Sequence, residues 1–249
     1  MRRAVITSQK ADSVSFDAWA SVRFADRSTL SGSIVTHGVL RNIDGTWSAE
    51  ATLNLLRSDT AHGEQRGSGT LVFSSPAIGS LFVLLEDVHG QLITTPTSLG
   101  DVGGTWWRLS LASGSSIRTS GTTPDPRLVD AYTTAIQIVG GGLETEGRSA
   151  VYHYHVMIGA DTLNAYIAGT AGKIAQSTTA VGEVWINPTT FVLERARWNI
   201  SNLPTRLGAI SCTLGIVFAD YNHAPPIRLP VGSGFSVPFD TIFDIFSSR

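Results

Sequence analysis

The stretch Val14-Ser15-Phe16-Asp17-Ala18-Trp19-Ala20-Ser21-Val22-Arg23-Phe24 decides the fold class. Val14, Phe16, Ala18, Ala20, Val22 and Phe24 fall on one side of an extended chain. Ser13, Ser15, Asp17, Ser21 and Arg23 fall on the other, with Trp19 the exception. Side chains alternate across a strand, so this period of two describes a sheet with one face on a core and one face wet. Outward from it the pattern repeats. The turn Ala25-Asp26-Arg27-Ser28 leads to a second strand around Leu30 to Leu40, and Asp44-Gly45 is a hairpin signal. Trp47, Ala49, Ala51, Leu53 and Leu55 then alternate again. Further strands are expected over Gly67 to Ser74, Ser80 to Asp87, Gln91 to Thr95 (after a turn at His89-Gly90) and Thr105 to Leu111. Turn residues at such short intervals predict hairpins rather than helix-linked parallel strands.

The middle of the chain changes character. After Pro124-Asp125-Pro126, the residues Leu128, Val129, Tyr132, Ile136 and Val139 fall at helical spacing, predicting a helix over Arg127 to Val139. Gly140-Gly141-Gly142 reads as its stop. Ser149 to Ile158 reads as a strand, with Tyr152, Tyr154, Val156 and Ile158 opposing His153, His155 and Met157. Asp161 caps an expected short helix, Thr162 to Thr170, that carries Leu163, Tyr166 and Ile167. Val181 to Ile186 and Phe191 to Ile200 flank the turn Asn187-Pro188-Thr189-Thr190, and Ile210 to Phe218 is a last apolar strand. The expected organisation is one domain over residues 1–249: a β-meander over 12–111, helices and strands over 125–230, and an irregular tail over 232–249 that folds back as a plug or short helix. The Ser/Thr/Gly/Pro-rich stretch Ser113 to Pro126 is read as a loop within it.

Composition narrows the function. With 42% hydrophobic and 15% charged residues, the chain is too apolar for disorder and ample for a core. A formal net charge of −2 and singly scattered Lys and Arg argue against nucleic acid as a partner. The single cysteine, Cys212, excludes an intramolecular disulfide and a Cys-based metal cluster. No apolar run approaches the ~20 residues of a membrane helix. Met1 to Lys10 has a basic start without an apolar h-region, so a signal peptide or lipid anchor is not expected within this chain.

No catalytic constellation emerges, and an enzyme is not expected. G-x-S-x-G, H-E-x-x-H and paired-cysteine motifs do not occur, and Gly140 to Gly142 lacks the Lys-Ser/Thr of a phosphate loop. His153 and His155 form an H-x-H pair whose spacing can chelate a metal. A third ligand would have to come from His62, His89 or His223, all distant in sequence. The pair is therefore read as solvent-facing or core-rim histidines, with no metal and no cofactor. Cys212 alternates with Ile210, Leu214 and Ile216 and is read as a small core residue. Asp220-Tyr221-Asn222-His223 is read as a turn fixed by side-chain hydrogen bonds. Glu50, Glu64, Glu86 and Glu183 sit alone on alternating strands.

The apolar excess is what needs a function. Leu81, Val83, Leu85, Trp107, Leu109, Leu128, Tyr132, Ile136, Leu163, Tyr166, Ile167, Val184 and Ile186 line a cavity if sheet and helices stand apart. The same residues meet in a dry core if they do not, and periodicity leaves both arrangements open.

The second half carries a resemblance. Gly147-Arg148-Ser149-Ala150-Val151-Tyr152-His153-Tyr154 is followed by Gly182-Glu183-Val184-Trp185-Ile186-Asn187-Pro188-Thr189-Thr190-Phe191-Val192-Leu193-Glu194-Arg195. The series ends on Val217-Phe218-Ala219-Asp220-Tyr221-Asn222 and Pro225-Pro226-Ile227. This order, together with Trp106-Trp107-Arg108, resembles the LolA-like bacterial lipoproteins, and among them the LprG/LppX-type lipid-binding lipoproteins. Two departures are the absence of a lipobox cysteine near the start and Glu194 after Leu193. The resemblance implies an α+β fold, a strongly curved antiparallel half-barrel with a few helices on its concave face. It also implies an exported protein of the periplasm or cell envelope that carries a lipid, glycolipid or acylated lipoprotein in a hydrophobic cavity. Peripheral membrane association would follow if the natural form is lipidated. The alternative is an envelope sensor or protein-interaction module that uses the same fold without a lipid.

Overall fold

The computed structural model describes residues 1–24, 31–43, 46–59, 63–74, 80–89, 106–110, 136–160, 178–205, 208–227 and 235–238. One helix, α1 (Arg2–Gln9), precedes the strands β1 (Ser13–Phe24), β2 (Ser31–Ile43), β3 (Thr46–Asp59), β4 (Gly63–Ser74), β5 (Ser80–His89) and β6 (Trp106–Ser110). Then follow β7 (Ile136–Glu146), β8 (Ser149–Ile158), β9 (Thr179–Ile186), β10 (Leu193–Thr205), β11 (Gly208–Ala219) and β12 (Phe235–Pro238). Among the described residues the protein is thus a mostly antiparallel sheet structure with one short helix, and that helix is neither of the two predicted.

The chain divides into two compact units. The first comprises Met1–Ala11, Ala18–Ser33 and Thr123–Ala219, and its strands are hydrogen-bonded in the order β1-β11-β10-β9-β8-β7. The second comprises Asp12–Asp17, Ile34–Thr122 and Asp220–Arg249, with the order β12-β6-β5-β4-β3-β2-β1. Neighbours in the meander are antiparallel, as the turn spacing predicts, whereas β12 runs parallel to β6.

In the first unit, register builds the core. Tyr154 pairs with Val184, Val184 with Ala196, and Ala196 with Ile216, which makes one apolar row across four strands. Val156, Val184, Ile186 and Ala196 are buried together with Ala4 of α1. The helix docks here through Ala4, 2% exposed, and Ser8 Oγ accepts the Leu193 N–H at 2.8 Å. The Arg3 guanidinium lies 3.6 Å from the centre of the Phe191 ring. An eight-residue helix is marginal on its own, so packing rather than propensity supports it. For that reason the sequence pattern did not announce it.

Two glycines make room for aromatic rings. The Trp198 ring covers its cross-strand partner Gly182, where a Cβ would come within 2.6 Å of the ring. Trp19, the outward exception in β1, lies on Gly215 in the same way. An aromatic laid over a strand glycine recovers packing that the missing side chain cannot supply. In the second unit, Gly69 of β4 sits at the register shift of the β4–β5 pair.

Three expectations are corrected. Ile136–Val139, the end of the helix predicted over Arg127 to Val139, begin β7 instead, and residues 127–135 lie outside the described ones. Gly140-Gly141-Gly142 is therefore not a helix stop. It pairs with His155, Tyr154 and His153 across a register shift between Ile138 and Gly140, with Gly141 at φ 113. Glycine supplies that conformation without a Cβ penalty, so the triplet forms a bulge rather than an ending. Phe235–Pro238 of the expected irregular tail form β12. The expected helix over 162–170 and the tail beyond residue 238 lie outside the described residues.

Candidate functional site

The candidate site is the sheet around β1 and β8 to β10, whose two faces differ in chemistry. Alternation in β1 holds from Phe16 onward: Phe16, Ala18, Ala20, Val22 and Phe24 are half-buried while Asp17, Trp19, Ser21 and Arg23 are exposed; Ser13 and Ser15, expected on the wet face, are instead buried together with Val14. None of the apolar side chains from Phe16 to Phe24 is sealed, although the core of the first unit buries Val156 to 1% and Ile186 to 2%.

The predicted cavity residues divide into three groups. Val184 and Ile186 are fully buried in the core cluster under α1, and Ile136 packs against that cluster. Leu81, Val83 and Leu85 lie in β5, and Trp107 and Leu109 in β6, described by their backbone. Register sets Leu81 opposite Leu109 and Val83 opposite Trp107. Leu128, Tyr132, Leu163, Tyr166 and Ile167 lie outside the described residues. A separate groove of about 370 Å³ opens in the second unit between Gly38, Ala51, Thr52, Pro225 and Pro226, and no predicted cavity residue lines it.

The Asp220–His223 segment is the turn expected of it. Asn222 stands at φ 64, its Oδ1 accepts the Asp12 N–H at 2.8 Å, and its own N–H donates to the Ser13 carbonyl at 2.8 Å. Cys212 is half-buried, and burial pushes its thiol pKa up, consistent with a packing role rather than a nucleophile.

The opposite face of β8 to β10 is polar and ordered in rows. One row runs Arg195, Trp185, His153 and the next Arg197, Glu183, His155. The Arg195 guanidinium stands 4.1 Å from the centre of the Trp185 ring and forms two bonds, 2.9 and 2.7 Å, to the Glu146 carboxylate. That guanidinium holds the Glu146 pKa below the usual carboxylate value. Trp185 also stacks on His153, with centroids 4.5 Å apart and planes 9° from parallel. His153 Nδ1 lies 3.0 Å from Glu144 Oε2. Glu183 Oε1 lies 3.7 Å from His153 Nε2 and 3.6 Å from His155 Nδ1.

Sequence reading recognised the H-x-H pair and missed its third member. His62 is outside the described residues, His89 is described only by its backbone in β5, and His223 Nδ1 lies 2.8 Å from the Tyr221 carbonyl. The donor beside the pair is Glu183. Parity contained part of the signal, because Glu183 and Trp185 alternate with buried Val184 and Ile186 and so face the side of the histidines. The pairing that sets Glu183 opposite His155 depends on register across a long connection, which parity does not contain.

No family model matches the chain, and no curated protein matches it. Among solved structures it is similar to the crystal structure of the lipoprotein LppX of Mycobacterium tuberculosis, with 11% identity and a TM-score of 0.43 over 91% of this chain and 95% of that one.

Proposed function

We propose that the chain binds and carries a hydrophobic ligand, a lipid, glycolipid or acylated lipoprotein, in the bacterial cell envelope, without chemistry on it. The observation that carries this reading is the half-open apolar face of β1. Ala18, Ala20, Val22 and Phe24, all in the first unit, alternate as core residues do yet remain partly exposed. A protein interior closes over such a row at crystal-like density, and a row left half-covered is suited to an apolar guest. Each methylene buried contributes ~0.8 kcal/mol, so a ten-carbon stretch contributes about 8 kcal/mol before ordering costs.

Native mass spectrometry of protein purified from a lipid-containing host, followed by organic extraction, tests the proposal. A discrete increment that extracts as lipid is expected. A clean apo mass that stays unchanged after incubation with phospholipid or acyl probes would overturn it. That result would favour a protein-interaction module, for which there is one specific observation. Ile138, Val139 and Leu143 are 50%, 62% and 61% exposed on β7, which among the described strands has a neighbour on one side only.

A further inference from the structure

We infer that His153, His155 and Glu183 form a binding site for a divalent transition metal of the zinc class, on the polar face of β8 and β9. The site is independent of lipid carriage, because the apolar rows of these strands point the other way.

The geometry supplies three donors of suitable chemistry. One ligand atom from each residue lies within 4.8 Å of the others. In a tetrahedral zinc site with bonds of ~2.0–2.2 Å, donor atoms stand about 3.3 Å apart. The separations of 3.7 and 3.6 Å from Glu183 to the two imidazoles are within about half an ångström of that spacing. Two imidazoles and one carboxylate on a partly exposed face leave a fourth position for water, as in open zinc sites. His155 is the solvent side of the site, its side chain 50% exposed against 14% for His153.

The second, independent observation is the orphaned atom of His153. Its Nε2 is buried and has no hydrogen-bond partner. Glu144 accounts for this. A carboxylate can only accept, so in the neutral imidazole the contact at Nδ1 places the proton on that nitrogen and leaves Nε2 as the ligating atom. That nitrogen faces the Glu183 carboxylate, whose Oε1 lies 3.7 Å away. A buried polar atom without a partner is costly, and a metal ion held between Nε2 and the carboxylate would satisfy both. A carboxylate behind the far nitrogen of a ligating histidine is also the usual support of a metal-bound imidazole.

The rest of the row holds these groups in place. Trp185 stacks on the His153 ring and is itself covered by Arg195, so the imidazole plane is fixed from one side. Arg197, the cross-strand partner of Glu183, lies over the Trp19 ring at 5.9 Å. Glu183 is thereby left to the histidines. In this arrangement Glu144 is a positioning residue, and the three ligands are His153, His155 and Glu183.

The test is calorimetric titration of the full, untagged, chelator-treated chain with Zn2+, with parallel titrations of variants. One Zn2+ per chain is expected to saturate a single class of sites. His155→Ala and Glu183→Gln should each weaken that site at least ~10-fold, and Glu144→Gln by ~10–100-fold while thermal stability without metal stays unchanged. His37→Ala, in the other unit, should leave it unaltered. Co2+ in place of Zn2+ should give visible bands of a low-coordinate nitrogen and oxygen site, lost in Glu183→Gln. The inference is overturned if no stoichiometric site is found. It is also overturned if both ligand variants, folded by circular dichroism, bind Zn2+ as the parent does. That would leave a proton, not a metal, joining His153 to its two carboxylates.

Discussion

Trp198 lies on Gly182 so closely that a Cβ added to the glycine would meet the ring at 2.6 Å and the Arg197 carbonyl at 2.7 Å. The obstacle is an indole face and a backbone oxygen, neither of which is the free end of a flexible side chain. Gly182→Ala should therefore destabilise the protein by about 1–3 kcal/mol, the usual cost of overpacking. Gly142, with open space around it, is the control. Gly142→Ala should be neutral or stabilising by up to about 1 kcal/mol, since a glycine in a strand carries excess unfolded-state entropy. Denaturant midpoints measure both. Equal midpoints would mean that the Trp198 stack is not tight.

How far the sequence was legible follows from which interactions are local. The parity of β1 and β8 needs only a period of two, and Ser149–Ile158 stands as read. The turn at Asn187 was legible because its chemistry is short-range: Oδ1 accepts the N–H groups of Thr189 and Thr190, both at 2.9 Å. What parity could not give was anything set by a distant partner. The glycines of β7 read as a stop because their bulge exists only against β8. Helix α1 is supported by the core that Ala4 enters, and the parallel pairing of Phe235–Pro238 by β6. The third donor of the histidine pair belongs to the same class, since it arrives by register.

Glu146 carries a pH signature that can be read residue by residue. The hydrogen bond from Arg195, and then its charge, lower the carboxyl pKa from the ordinary 4.5. The folded value is thus below the unfolded one. The stability that the pair contributes is fully present above the unfolded value and is lost as pH falls through the lowered folded value. Both partners are solvent-exposed, so the contribution is small. The titration itself is the measurement. In the parent, the Glu146 side-chain carboxyl resonance should move at a pH below the ordinary value, and in Arg195→Ala it should return to it. An unmoved midpoint in the variant would mean that the bidentate pair does not persist in solution.

Cys212 should behave as a protected thiol. It sits opposite Ile200 in the β10–β11 pair, and burial raises its pKa above the ordinary 9.0. Only the thiolate attacks a disulfide reagent, so the folded protein should react more slowly than the denatured chain at the same mildly alkaline pH. The rates should converge once denaturant passes the unfolding midpoint. A folded rate equal to the unfolded one would mean that the half-buried thiol is freely accessible.

Asn222 combines a left-handed backbone with a side-chain bond, and the two can be separated by choice of substitution. At φ 64 an alanine incurs roughly 1–2 kcal/mol of backbone strain. It also loses the 2.8 Å bond from the Asp12 N–H, worth about 0.5–1.5 kcal/mol. Glycine adopts the same φ freely and loses only the bond. Asn222→Ala should therefore destabilise by about 2–3 kcal/mol and Asn222→Gly by about 1 kcal/mol, read from denaturant midpoints. The order of the two is the informative part. If Gly were as costly as Ala, the side-chain bond to Asp12 would hold the turn. If both were neutral, neither the bond nor the backbone would, and the Asn222 N–H bond to Ser13, which both variants retain, would be sufficient.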